Sequence, residues 1–364
     1  MTDTEAHIAL NMIPRLGPVR LRRLMDAFET PQRILSATAA ELQQVEGIGP
    51  EAARSIASWE RTVDLAAELK RVSDFGATVI AQCAPDYPAR LREIHDPPIV
   101  LYVWGELAER DRHAVGVVGT RKPSHYATEC AKKLSYQLAY AGLTVFSGLA
   151  LGIDTAAHQG ALAARGRTVA VIGSGLNQLY PARNKELAER IAAGNGAVVS
   201  EFPMDTPPDK QTFPMRNRIV AGCSFGLLVV EAGLNSGALI TANQAADQGR
   251  AIYAIPGRID NPVALGSNKL IQQGAKLVQS AQDILDDMGM LFSETPEIST
   301  PAPPADLTET ERAVLSALEG EETHVDTVTA RTGLPTAKVS STLLALEMRR
   351  LVKQLPGSRF VRTN

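Results

Sequence analysis

Two short loops carry the residues best suited to chemistry in this chain. Gly119-Thr120-Arg121 follows the apolar run Val115–Val118, and Ser147-Gly148-Leu149-Ala150-Leu151-Gly152-Ile153-Asp154 follows the run Thr144–Phe146. Each loop leads into a stretch of helical period. In an open parallel sheet such loops lie at one edge, outside the carboxyl ends of the strands. Helix N-termini there present free backbone N–H groups and a positive dipole end, which suits an anion. Arg121 stands at the lip of the first loop with a guanidinium shaped for phosphate. Together these features read as a phosphate pocket.

A third segment says more about the ligand. Phe213-Pro214-Met215-Arg216-Asn217-Arg218 opens another helix, with Lys210 just upstream. The arginine forks suit phosphate, and Phe213 offers a base a flat apolar face, worth ~1–3 kcal/mol when stacked. Aromatic plus cations suits a groove for a single strand of nucleic acid better than a compact nucleotide. Arg216 and Arg218 are expected to face phosphate. The alternatives are core packing for Phe213 and, for Arg218, an ion pair with Glu231 at the end of the run Gly226–Val230. Ser236, Gly237 and Thr241, in the next small-residue loop, add hydrogen-bonding groups for an anion.

Other constellations are weaker. Gly173-Ser174-Gly175 follows the run Thr168–Ile172, but it lacks the third glycine and the distal acid of a dinucleotide site. Ser147 sits in Ser-Gly-Leu-Ala, not in a Gly-x-Ser-x-Gly nucleophile elbow. Asp154 and His158 are one helical turn apart. With no partner nucleophile, the spacing favours Asp154 as a helix cap and His158 as a packed ring. The cysteines, Cys83, Cys130 and Cys223, are far apart and lack metal-ligand spacing, so buried free thiols are expected. No cofactor or metal is expected.

The elements that must position these groups form blocks. Residues 1–76 have helical period, punctuated at Leu16-Gly17-Pro18 and Gly47-Ile48-Gly49-Pro50. Val45-Glu46-Gly47-Ile48-Gly49-Pro50 resembles a helix-hairpin-helix, whose backbone N–H groups grip phosphate. With Arg15, Arg20, Arg22 and Arg23 nearby, it reads equally as a phosphate grip or as a packing module. Residues 77–292 alternate β-branched runs with amphipathic stretches: Ile99–Val103, Val115–Val118, Thr144–Phe146, Thr168–Ile172, Ala197–Ser200, Gly226–Val230, Ala251–Ala254 and Lys276–Val278. That rhythm predicts an α/β fold with a doubly wound, mostly parallel sheet. Residues 293–306 are Pro-rich, lack Lys and Arg, and read as a linker. Residues 307–364 read as helix, helix-turn-helix and hairpin, the plan of a winged helix.

Composition sets outer bounds. With 37 Lys plus Arg against 40 Asp plus Glu, the net charge is −3, so nucleic-acid binding must come from a local patch rather than a global field. The acidic N-terminus is unlike a signal peptide, and no apolar run approaches a membrane span, so no membrane contact and a cytoplasmic location are expected.

Taken together, VVGTRKPS, SGLALGID-TAAH, AVIGSGLNQLYPARN, SEFP, FPMRNRIVAG, VVEAGLNSGALITA, GRAIYAIPG and SNKLIQQGA resemble the DNA-processing protein A family (DprA/Smf). The match covers Val115 to about Val278, and the flanking segments fit the three-domain members. The resemblance implies an extended Rossmann-like fold without a nucleotide cofactor. It implies single-stranded DNA binding, protection of incoming strands in natural transformation and delivery of them to the RecA recombinase. By motif match, Arg121, Lys210, Phe213, Arg216, Asn217 and Arg218 would form the strand pocket, with loop contacts from Ser147 and Gly148. It also implies a homodimer formed near Asn268–Lys276, with Leu270, Ile271 and Leu277 supplying apolar contact. The rival class is a phosphoribohydrolase on a similar sheet. That enzyme family's PGGxGTxxE stretch is absent here, where the chain reads EAGLNSGALITA. Binding without catalysis is therefore expected. The winged helix, with nearly balanced charges and few cations on Thr336–Arg350, is expected to serve protein contact.

Overall fold

A nine-stranded sheet organises most of the chain in the computed structural model, which describes residues 1–289, 307–318, 323–348, 351–355 and 358–362. The strands are β1 (Thr78–Ala81), β2 (Val100–Gly105), β3 (Ala114–Val118), β4 (Thr144–Ser147), β5 (Thr168–Val171), β6 (Gly196–Ser200), β7 (Gly226–Val229), β8 (Ala251–Ala254) and β9 (Lys276–Leu277). Their order is β1-β2-β6-β5-β4-β3-β7-β8-β9. From β6 to β9 every neighbouring pair is parallel, while β1 and β2 join antiparallel. The central strands β3, β4 and β5 are buried along their whole length, as expected of strands covered on both faces. Within this sheet the sequence pattern missed β1, which has only four residues and follows directly on a helix.

Strand order reverses between β3 and β7. The chain winds outward from β3 through β4 and β5 to β6, returns to β7 beside β3, and then winds the other way. That is the topological switch point, where a crevice opens at the carboxyl ends of the strands. The helices His125–Tyr140 and Ile153–Ala163 flank it and pack closely on each other. Gly160 permits that approach, since a side chain there would collide with the Lys132 backbone.

The N-terminal helices are set by local signals. Thr2 and Glu5 form a capping box at Asp3–Met12, and Pro18, Pro31 and Pro50 open the helices Pro18–Phe28, Pro31–Ser36 and Pro50–Ala57. Their apolar faces do not close on themselves alone. Leu10, Leu24 and Val72 share one core with Tyr102, Val198 and Met204 of the sheet region. Asn11 donates to the Glu201 carbonyl (3.0 Å), and the Met204 N–H donates to Glu68 (2.8 Å). Residue 76 therefore ends a helical segment, not a separate packing unit: Met1–Pro296 is one compact unit.

Glu297–Asn364 is the second unit. Its described residues form the helices Glu309–Ser316, Val325–Thr332 and Thr336–Met348 and the strands β10 (Thr323–His324), β11 (Val352–Leu355) and β12 (Arg359–Arg362), in the order β10-β12-β11. Val314, Leu318, Val328, Leu343 and Phe360 pack inside it. This is a winged helix. The expected linker, 293–306, lies outside the described residues. Among the described residues no helix is long and apolar enough to cross a membrane. The cysteines are free, but of the three only Cys223 is buried: Cys130 is half-buried and Cys83 exposed.

Candidate nucleic-acid interface

The helix Thr212–Cys223 lies beside the switch point, and its periodicity decides which of its residues reach the crevice. Residues three and four apart share a helix face, whereas those two apart point to opposite sides. Phe213, Arg216, Asn217 and Val220 accordingly line one cavity of about 460 Å³. Its other walls come from Val118 at the end of β3 and Gly119 and Arg121 beyond it, from Gly148, Ala150 and Asp154 after β4, and from Ser236, Gly237, Ala238, Ile240 and Thr241 after β7. Lys210 closes it from the loop before the helix.

Arg121 is exposed at the rim, and its guanidinium carbon lies 5.4 Å from the centre of the Phe213 ring. This is cation–π distance. Tyr180 also lies against this ring, tilted, with centroids 5.8 Å apart. Among the described residues neither Arg121 nor Lys210 forms an ion pair, so both charges face solvent and any arriving anion.

Arg216 is sealed beneath this rim, 5% exposed, and donates to the carbonyls of Gly148 and Val171. Its Nε reaches the Asn217 side-chain oxygen at 3.2 Å. Burial pushes its pKa down to about 10; Asp154 works against that shift and Arg121 adds to it. It remains a cation at neutral pH, fixed in the floor of the cavity. Asp154 accepts from the N–H groups of Gly148 (3.1 Å) and Ala150 (3.3 Å). Burial raises its carboxyl above the ordinary range, against the pull of Arg216 and of those N–H groups.

Asp154 and His158 do not form an acid–base pair. The Thr168 hydroxyl spends its proton on the Val145 carbonyl (2.7 Å), so at 2.6 Å it must accept from His158 Nδ1. Nε2 is then the unprotonated nitrogen, buried without a partner. Burial, with Arg216 adding to it, pushes the ring's pKa down to about 3.

Several expected contacts fall elsewhere. Arg218, two residues from Arg216, turns to the opposite side of the helix. There it donates both Nη atoms to Glu201 (2.7 Å each) and Nε to Asp96 (2.9 Å). Burial alone would lower its pKa, but those carboxylates hold it above the ordinary arginine value. It is a structural cation, not a wall of the cavity, and it does not pair with Glu231. Glu231 instead accepts from the N–H and hydroxyl of Ser124 (2.8 Å each) and from Asn261 (3.2 Å). The Ser147 hydroxyl is fully buried and donates to the Val117 carbonyl (2.6 Å), which leaves no side-chain contact for a ligand.

Leu270 packs into the sheet core, whereas Ile271 is half-buried and Leu277 is exposed on the edge strand β9. The arginines of the helix-hairpin-helix are engaged within the protein. Arg15 pairs with Glu51, Arg20 donates to the Arg15 carbonyl, Arg22 to the His95 carbonyl and Arg23 to the Glu46 carbonyl. Tyr180 was missed by sequence reasoning. Its signal is an aromatic residue in the loop after β5, at the same rim as the glycine loops. Among the described residues no cluster of metal-ligating side chains occurs.

Residues 78–289 match the family model of DNA recombination-mediator protein A. The chain belongs to this family. Flanking models of a SAM-like helix-hairpin-helix tandem and of the DprA winged helix domain match residues 8–58 and 299–358. The DprA-family chain is 35% identical to protein Smf of Synechocystis over 98% of both chains. It is 42% identical to the DNA processing protein DprA of Bacillus subtilis over 58% of this chain and 72% of that one. The solved DprA of Streptococcus pneumoniae superposes with a TM-score of 0.70 at 34% identity, covering 79% of this chain and 99% of the other. DprA of Helicobacter pylori, whose structure concerns its mode of single-stranded DNA binding, gives 0.54 at 28% identity, covering 60% and 99%. The DprA fold, with its helical N-terminal segment and winged helix, is thus that expected from the motifs.

Proposed function

We propose that this DprA-family protein binds single-stranded DNA in the switch-point cavity, without catalysis, and delivers the strand to the RecA recombinase during natural transformation. Arg121 and Lys210 take phosphates at the rim, Phe213 stacks a base and Asn217 adds a hydrogen bond, whereas Gly148, its N–H held by Asp154 and its carbonyl by Arg216, only shapes the wall. Arg216 supplies fixed positive charge from below. The observation that carries this reading is the Arg121 guanidinium held over the Phe213 ring at the mouth of the cavity. A guanidinium suited to phosphate beside a flat ring suited to a base supports this reading. The binding described for the Helicobacter pylori relative supports the same ligand.

Such contacts ignore base identity, so binding should tolerate sequence and weaken with salt. A homodimer through the exposed edge around β9, using Leu277 and Ile271, would place two cavities on one strand and raise avidity. We assign the winged helix to protein contact.

The test is a mobility-shift titration with single-stranded and duplex DNA at two salt concentrations. Arg121→Ala should weaken single-strand binding uniformly across sequences and reduce the salt slope by about one. An unchanged slope, or equal affinity for duplex, would overturn the reading.

A further inference from the structure

We propose that Asp154 is a built-in anion: its carboxylate fills a phosphate seat in the cavity wall and so bars small phosphate ligands. The seat is made by the chain leaving β4. Leu149 there has φ 57°, a left-handed backbone that a branched, fully buried residue rarely adopts. The loop is held in that shape from several sides. The Asn184 amide donates to the Leu149 carbonyl (2.7 Å), the Thr155 hydroxyl to the Ala150 carbonyl (2.8 Å), and Arg216 to the Gly148 carbonyl.

With Leu149 turned left-handed, the N–H groups of Gly148 and Ala150 converge on one point. Such backbone concavities bind anions. Here they converge on Asp154 Oδ2. The Arg216 guanidinium is adjacent: a Cβ built on Gly148 would meet Arg216 Nη1, Arg216 Nη2 and Asp154 Oδ2, each at 2.7 Å. The helix Ile153–Ala163 also starts here, with no side-chain cap on its first turn. Two N–H groups, a guanidinium and a helix N-terminus are the components of a phosphate site. The occupant is the protein's own carboxylate, and both it and Arg216 border the open cavity.

A carboxylate also occupies the neighbouring turn. At the start of the helix His125–Tyr140, Glu231 takes the N–H and hydroxyl of Ser124. Both loops that would hold the phosphates of a compact nucleotide are therefore filled from within. A monoester or pyrophosphate entering the crevice would meet Asp154 rather than a vacant cradle. A polynucleotide, which runs past on the rim cations and the aromatic ring, need not displace it.

The inference deepens the single-strand reading and rests on it for its role in selectivity, but its test uses no DNA. Thermal unfolding of the full chain would be followed against inorganic phosphate, with chloride at matched ionic strength as the control. Asp154→Ala should melt below wild type in phosphate-free buffer and recover as phosphate is added, while wild type does not respond. Equal responses of the two proteins, or no response of the variant, would overturn the proposal. If Asp154→Ala does not fold, Asp154→Ser removes the charge and draws the side chain back from the seat while keeping a hydroxyl for the helix start; calorimetry should then find phosphate binding at least about tenfold tighter than in wild type. No gain there would be equally fatal. A phosphate gain in a protein that binds no single strand would sink the functional reading and leave this one standing. Strand binding without the gain would do the reverse.

Discussion

The two faces of the helix Thr212–Cys223 hold arginines two residues apart, and they do opposite work. Arg216 faces the cavity, is satisfied mainly by carbonyl oxygens and keeps its positive field beneath the rim. Arg218 faces away and is neutralised by Glu201 and Asp96. Both are 5% exposed, so burial does not distinguish them. Their partners do. A guanidinium whose hydrogen bonds go to neutral acceptors, with the single carboxylate beside it, Asp154, shared with two loop N–H groups, keeps more of its charge for an incoming phosphate. One clasped by two carboxylates is electrostatically spent and serves the fold.

The largest expected break in this comparison is Arg218→Ala. It leaves Glu201 buried without its cation, which typically costs about 3–5 kcal/mol. A large drop in melting temperature, with strand affinity preserved well below that temperature, would match the assignment. An intact melting curve with lost binding would reverse the roles of the two faces.

Next comes acid. His158, on the Arg216 side, has a folded pKa of about 3 against an ordinary 6.5. A depressed folded value means that the unfolded chain takes the proton first. The ring's contribution to stability is complete above about pH 6.5 and is lost as pH falls towards 3, to the extent of roughly 4 kcal/mol. Denaturant midpoints measured from pH 7 to 4 should fall for wild type and fall less steeply for His158→Gln. Parallel curves would mean that the ring is not held neutral.

Phe213→Ala should have the smallest effect of the three and should sharpen the comparison most. Losing one stacked base costs ~1–3 kcal/mol of binding, or about one to two orders of magnitude in affinity for single strands. Melting should change far less than in Arg218→Ala. Binding isotherms alongside melting curves separate the two effects.

Much of this molecule was legible in the chain itself. Short β-branched runs alternating with helical stretches implied the doubly wound sheet, because a strand buried on both faces must be apolar throughout. Gly119, Gly148 and Arg121 were assigned to one rim, since parallel connections put all such loops at the carboxyl edge. Even the separation of Arg216 from Arg218 was available, because residues two apart on a helix diverge by roughly 200°. Two such side chains cannot both face one cavity.

What the sequence could not supply was the identity of long-range partners. Glu201 and Asp96 reach Arg218 from positions 17 and 122 residues away. Glu231 lies 13 residues from Arg218 in sequence, yet it is bound to Ser124. Composition and spacing determine which elements form and which edge they open onto, because those follow from local sterics and periodic burial. Which charge meets which carboxylate, and which loop N–H groups are already taken by Asp154, depends on distances fixed only when the sheet and its helices close together.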